Sequence, residues 1–123
     1  PHVVGERIDE KFEQLIFGRG YDHNYVLAKR WPGELTYAAR AVSPKTGICM
    51  EVYTTEPGVQ LYTGNWLNGF EGKASRKYTE RTAICFETQH FPDSPNNPHF
   101  PSTVLRPGEK YTQTCIYKFG IEK

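Results

Sequence analysis

In the stretch ICFETQHFPDSPNN, residues 84–97, a glutamate interrupts an apolar run just before it meets a proline-studded loop. Strand alternation puts Thr82, Ile84, Phe86 and Thr88 on one face and Ala83, Cys85, Glu87 and Gln89 on the other. The first set reads as core. The second begins with small side chains and turns polar, which leaves room beside the strand for a polar guest. A lone carboxylate is costly to bury unless it is paired or neutralised. Two readings of Glu87 therefore stand side by side. It forms an ion pair with Arg40, Arg81 or Arg106, or it lines a pocket where partial burial lifts its proton affinity and makes it a general base.

Two further groups carry chemistry. In VQLYTGNW, residues 59–66, Gln60 and Tyr62 share one face while Val59, Leu61 and Thr63 share the other. An amide supplies both donor and acceptor and an aromatic ring covers a pyranose face, so the pair suits a sugar; it is equally an ordinary strand surface. In GRGYDHNYVL, residues 18–27, Asp22 and His23 fall at a loop-to-strand junction, where functional side chains are often held. A metal site can be written from Asp22, His23, His90, Asp93 and His99, but no ligand spacing supports it, and no metal is expected. No nucleophile signature surrounds Cys49, Cys85 or Cys115, and no glycine-rich phosphate loop is present. No cofactor is expected.

The elements that must position these residues are strands. Eight tyrosines, seven phenylalanines, eleven glycines and nine prolines, with turn clusters at short intervals and no long helical stripe, predict an all-β chain with helix as a minor element. Strands are expected over 34–42, 47–56, 59–66, 81–89 and 110–121. The first two form a hairpin around SPKTG, where Pro44 suits the first central turn position and Gly47 a positive φ. The excursion LNGFEGKASRKYTE, residues 67–80, reads as a mobile surface loop. Prolines 92, 95, 98 and 101 suggest either a polyproline ligand or a rigid ordered loop. The second is favoured because His90, Phe91 and Phe100 give the loop groups to pack.

Composition limits the partners. A chain of 123 residues is at most one domain, and a formal charge of +1 without a basic block lacks the field that nucleic acid or an anionic membrane requires. No apolar run approaches a membrane span, so the chain reads as soluble. Three widely spaced cysteines read as reduced thiols of a cytoplasmic protein. The sequence opens at Pro1 on a polar segment, PHVVGERIDEKFEQ, as a fragment would.

Three of these stretches, GYDHNYVL, EVYTTEPGVQLYTGNWLNG and CFETQHFPDSPNNPHFPSTVLRPGEKY, together resemble the C-terminal part of the aldose 1-epimerase (mutarotase) family. The likeness runs in order over nearly the whole chain, and the opening VVGERIDEKFEQL is similar to the segment preceding the family's aspartate motif. The resemblance implies an antiparallel β-sandwich, the C-terminal part of the galactose mutarotase-like supersandwich, left incomplete over residues 1–123. It implies an enzyme that interconverts the α and β anomers of free hexoses such as galactose and glucose without metal or cofactor. It makes Glu87, in ETQ, the catalytic base, and makes Asp22, in YDH, and Gln60, in PGVQ, sugar contacts.

The departures carry expectations too. The family's acid is a histidine from an N-terminal portion that these 123 residues do not contain, and His23, His90 and His99 do not match it. The segment is therefore expected to be inactive or nearly so alone, and its strands to show unpaired edges and exposed apolar surface. Glu56 stands where the family often has glutamine, and its place at a strand-end turn suggests little effect. Two other classes remain at this point: a non-catalytic carbohydrate-binding sandwich, and an epimerase of phosphorylated hexoses. The second would want clustered arginines, whereas Arg81 and Arg106 are scattered.

Overall fold

Pro44 and Gly47 turn the chain as their geometry dictates. Gly47 takes φ +71°, its N–H donates to Ser43 O at 2.8 Å, and Ser43 N–H donates to Ile48 O at 2.8 Å, joining β2 (Thr36–Val42) to β3 (Ile48–Thr54) as an antiparallel hairpin. The computed structural model describes His2 through Glu122; Pro1 and Lys123, the ends of the 1–123 segment, lie outside the described residues. The remaining strands are β1 (Asp22–Val26), β4 (Gly58–Tyr62), β5 (Asn68–Glu71), β6 (Lys77–Thr79), β7 (Cys85–Gln89) and β8 (Cys115–Ile121). They form three small sheets of order β1-β4-β7, β2-β3-β8 and β5-β6. The chain is all-β and antiparallel in character, as expected. Apart from single 3-10 turns, the helix described is α1 (Glu13–Gly18).

The described chain divides into two compact units, Pro1–His23 with Gln60–Glu87, and Asn24–Val59 with Thr88–Lys123. In the first, α1 is far too short to persist on its own propensity and is held by Leu15, which is buried. It stops at Arg19, whose left-handed backbone (φ 56°) lets its N–H reach the Leu15 and Ile16 carbonyls. The excursion 67–80, expected as a mobile loop, is instead the β5–β6 hairpin. Phe70 packs edge-on against Tyr78 at 5.7 Å, and a Cβ on Gly72 would stand 1.9 Å from the Tyr78 ring. Glycine is required there because an aromatic ring crosses its backbone, a reason that composition alone disguised as looseness.

In the second unit β3 pairs with β8 over seven positions, from Ile48↔Ile121 to Thr54↔Cys115. Alternation separates the faces of β2-β3-β8. One carries Glu51, Lys118 and Arg40, joined as ion pairs at 3.2–3.7 Å. The other carries Ile48, Met50, Val52, Tyr117, Phe119 and Ile121. Only part of it is covered: Val52 is fully buried, whereas Phe119 is 67% and Ile121 74% exposed. The proline-rich segment is ordered, as predicted. Phe91 and Phe100 meet edge-to-face at 5.2 Å, Ser94 Oγ donates to Phe91 O at 2.6 Å, and Asp93 accepts from the Asn97 side chain.

One expectation fails. The Thr82, Ile84, Phe86, Thr88 face does not form a core: Ile84 is exposed and Phe86 half-buried. Among the described residues the buried apolar side chains are Ile8, Leu15, Val52 and Val59. Alternation identifies which residues share a face; it does not supply the second layer that would bury that face. The strands themselves are shorter than predicted. The 59–66 run ends at Tyr62 because Gly64 (φ +68°) turns the chain, and the 81–89 run begins at Cys85 because Arg81 adopts φ +60°.

Candidate active site

Asp22, Gln60 and Glu87 all belong to the first unit, and they come from three hydrogen-bonded neighbours, β1, β4 and β7. Asp22 and Gln60 meet directly: Gln60 Nε2 donates to Asp22 Oδ1 at 2.7 Å. The contact orients the carboxylate of an exposed aspartate with a half-buried amide. His23 turns back on its own strand, its Nδ1 accepting the Asp22 backbone N–H at 2.9 Å. Tyr62, two residues beyond Gln60, accepts the Trp66 backbone N–H at 3.1 Å.

Glu87 is exposed. Cys85 shares its face, as alternation requires. Burial, and then the neighbouring Glu87 carboxylate, push the Cys85 thiol above its ordinary pKa. The ion-pair reading of Glu87 fails, because none of its three candidate partners pairs with it and two of them are held by other carboxylates. Arg81 binds Asp9 at 2.7 Å and Arg40 binds Glu51 and Glu122, and no ion pair joins the Arg106 guanidinium to Glu87 among the described residues. Among the described residues Glu87 carries no ion pair. A carboxylate with no cation beside it is open to accept a proton from a bound hydroxyl.

A second polar group lies in the second unit and was missed. Glu56, 4% exposed, accepts from Tyr111 Oη at 2.6 Å and contacts His90 Nδ1 at 2.6 Å, beside a cavity of about 720 Å³ lined also by Leu27, Trp31 and Phe91. The expectation that Glu56 matters little is corrected: a buried carboxylate holding two side chains cannot be a passive turn residue. Its partners lie 34 and 55 positions away, so a sequence window around EPG shows neither. The available signal was a charge at the end of the apolar-rich run 47–56. Lys29 in the same unit is similarly committed, its ammonium donating to Glu34 O, Thr36 Oγ1 and Thr54 O at 2.6–2.8 Å. Desolvation lowers its pKa despite the favourable Glu34 and Glu56 charges.

The hydrogen bond to Glu56, with burial and the carboxylate charge behind it, pushes the Tyr111 phenol up to about 12. A raised phenol pKa means that the folded state holds the proton more tightly than the unfolded one, whose tyrosines titrate near ~10. The contribution to stability is complete below about pH 10 and is lost as pH rises through 12. In a titration followed at the phenolate absorbance, Tyr111 is expected to ionise well above the ordinary tyrosine range. Tyr53, hydrogen-bonded to Glu51, is displaced in the same direction. A Tyr111 phenol that ionises near the unfolded value in the folded chain contradicts the Glu56–Tyr111 bond.

The aldose 1-epimerase family profile matches residues 1–118. The chain is 45% identical over 112 residues to a bovine protein named galactose mutarotase, covering 90% of this chain and 32% of that one. It is 36% identical over 106 residues to the Escherichia coli aldose 1-epimerase, covering 85% and 30%. The crystal structure of a GalM/aldose epimerase homologue from C. elegans superimposes with a TM-score of 0.75 at 32% identity, over 84% of this chain and 30% of that chain. The chain thus spans about a third of the length of the curated relatives it matches. The antiparallel strand architecture, the profile match over residues 1–118 and these similarities lead to one conclusion: the chain belongs to the aldose 1-epimerase family.

Proposed function

We propose that this chain is the C-terminal segment of an aldose 1-epimerase acting on free hexoses such as galactose and glucose, in which Glu87 is the catalytic base and Asp22 and Gln60 hold the sugar. The observation that carries the reading is the Gln60–Asp22 bond of 2.7 Å on the sheet whose third strand bears Glu87, with no cation paired to that carboxylate among the described residues. The names borne by the relatives, galactose mutarotase and aldose 1-epimerase, support the same reaction.

Glu87 takes the proton of the anomeric hydroxyl. As the C1–O1 bond gains carbonyl character the C1–O5 bond breaks, and the ring oxygen must receive a proton. Rotation about C1–C2 and attack of O5 on the other carbonyl face give the other anomer, with the two protons returned. The oriented Asp22 carboxylate accepts a sugar hydroxyl, and Gln60 fixes that orientation. The acid that protonates O5 is not supplied by this segment's motifs. A base without its acid loses roughly 10² to 10⁴ in rate, and the 123 residues alone are expected to leave the mutarotation of fresh α-galactose at its buffer rate. Polarimetry tests this directly; turnover near that of an intact relative defeats the half-site reading. A fusion placing the N-terminal two-thirds of the bovine relative ahead of this segment is expected to turn over. A folded but inert fusion defeats the assignment of epimerase activity.

A further inference from the structure

We propose that Asn65 is a positioning residue for the Asp22–Gln60 pair, a role that deepens and rests on the epimerase reading. Asn65 is 3% exposed and its side chain is fully committed. Nδ2 donates to Gly18 O at 2.8 Å and to Tyr21 O at 2.9 Å, while Oδ1 accepts from Thr63 Oγ1 at 2.6 Å. Thr63, also buried, adds its backbone N–H to Tyr21 O at 3.1 Å. The amide of one residue therefore joins the segment leaving α1 to the turn leaving β4. Asp22 is the residue after Tyr21, and Gln60 lies three before Thr63. The clamp closes immediately beside the point where Gln60 must reach Asp22.

The backbone is shaped to admit this amide. Gly20 has φ +140°, and a Cβ there would stand 2.5 Å from Asn65 Oδ1, so glycine is required twice over, by conformation and by contact. A second tie joins the same two segments: the Arg19 guanidinium lies 4.3 Å over the Trp66 ring, and within the turn the Trp66 backbone N–H donates to Tyr62 Oη. A buried amide with every donor satisfied costs much to alter and fixes a single arrangement. Here that arrangement is the approach of β1 to β4 at their polar ends.

The alternative is that Asn65 merely stabilises the unit. Asn65→Asp separates the two roles, since it keeps size and shape but replaces two donors with an oxygen facing two carbonyls. In the 123-residue chain, NMR reads the Gln60 side-chain amide protons while the Asp22 carboxyl is titrated, and the Phe70–Tyr78 contact reports that the unit is folded. In the wild type the Gln60 signals follow the Asp22 titration. In Asn65→Asp that coupling is lost with the Phe70–Tyr78 contact retained; coupling that persists overturns the proposal. Should Asn65→Asp unfold the unit, Thr63→Val decides. It removes only the hydroxyl that orients Asn65, keeps the backbone bond to Tyr21, and is expected to weaken the coupling visibly; unchanged coupling overturns the proposal. Adding galactose at high concentration separates this result from the epimerase reading. Galactose-induced shifts at Gln60 in the wild type that vanish in the variant support both. Coupling without any galactose response leaves the positioning role standing and counts against the sugar site.

Discussion

Glu87→Gln in the galactose mutarotase fusion abolishes anomer interconversion while hexose binding survives. Glutamine preserves the shape of the side chain and its capacity to accept a hydrogen bond, but it cannot take a proton. The expected loss is on the order of 10² to 10⁴ in kcat, the range for removing one general base, with KM changed by no more than a few-fold. The size of the effect follows from the surroundings. Among the described residues no cation pairs with the Glu87 carboxylate, and Arg40 and Arg81 are held by other carboxylates, so no such salt bridge is lost on substitution. A non-catalytic carbohydrate-binding sandwich predicts the opposite division, with affinity affected and no turnover to lose. Polarimetry and sugar titration on the same preparation decide between them. A variant retaining a tenth or more of the activity removes Glu87 from the role of base.

The largest effect on stability is expected at His90. His90→Ala leaves the Glu56 carboxylate, 4% exposed, with one of its two side-chain partners, and breaking a buried pair of this kind costs several kcal/mol. Tyr111 still donates to the other oxygen, which reduces the expected loss to about 2–3 kcal/mol, or roughly 10 °C in Tm for a chain of this length. His90→Asn, whose Nδ2 falls near the position of the imidazole Nδ1, recovers most of the loss. Urea denaturation of the three proteins measures it. A cost for His90→Ala below about 0.5 kcal/mol, typical of an exposed surface site, shows that the Glu56 pair does not hold these segments together.

Much of this site was legible beforehand because the information was local. Alternation in CFETQ puts Glu87 on the face of Cys85, and the strand Cys85–Gln89 carries both residues, two positions apart. SPKTG specified a hairpin through the requirements of proline and glycine at defined turn positions. Non-local pairings were not legible. Glu56 reads in sequence as a strand-end turn residue of little effect because His90 and Tyr111 reach it from far along the chain. Asn65 falls in the run 59–66 that reads as a strand, and only the fold reveals that its amide is buried against Gly20. Residues 67–80 were misjudged for a related reason. Gly72 signalled flexibility by type, whereas its true constraint is the Tyr78 ring lying across it.

The β3–β8 register has a consequence for biosynthesis. Residues 48–54 pair with residues 115–121, so β3 waits through the synthesis of some sixty residues before its second partner emerges. The β2–β3 hairpin forms at once, and during that interval it presents Ile48, Met50 and Val52 beside an unpaired strand edge. Such a surface is what holdase chaperones bind and what nascent chains aggregate through. Yield should therefore respond to translation speed downstream of Thr54, with slower synthesis of the intervening segment lengthening the exposure of that edge.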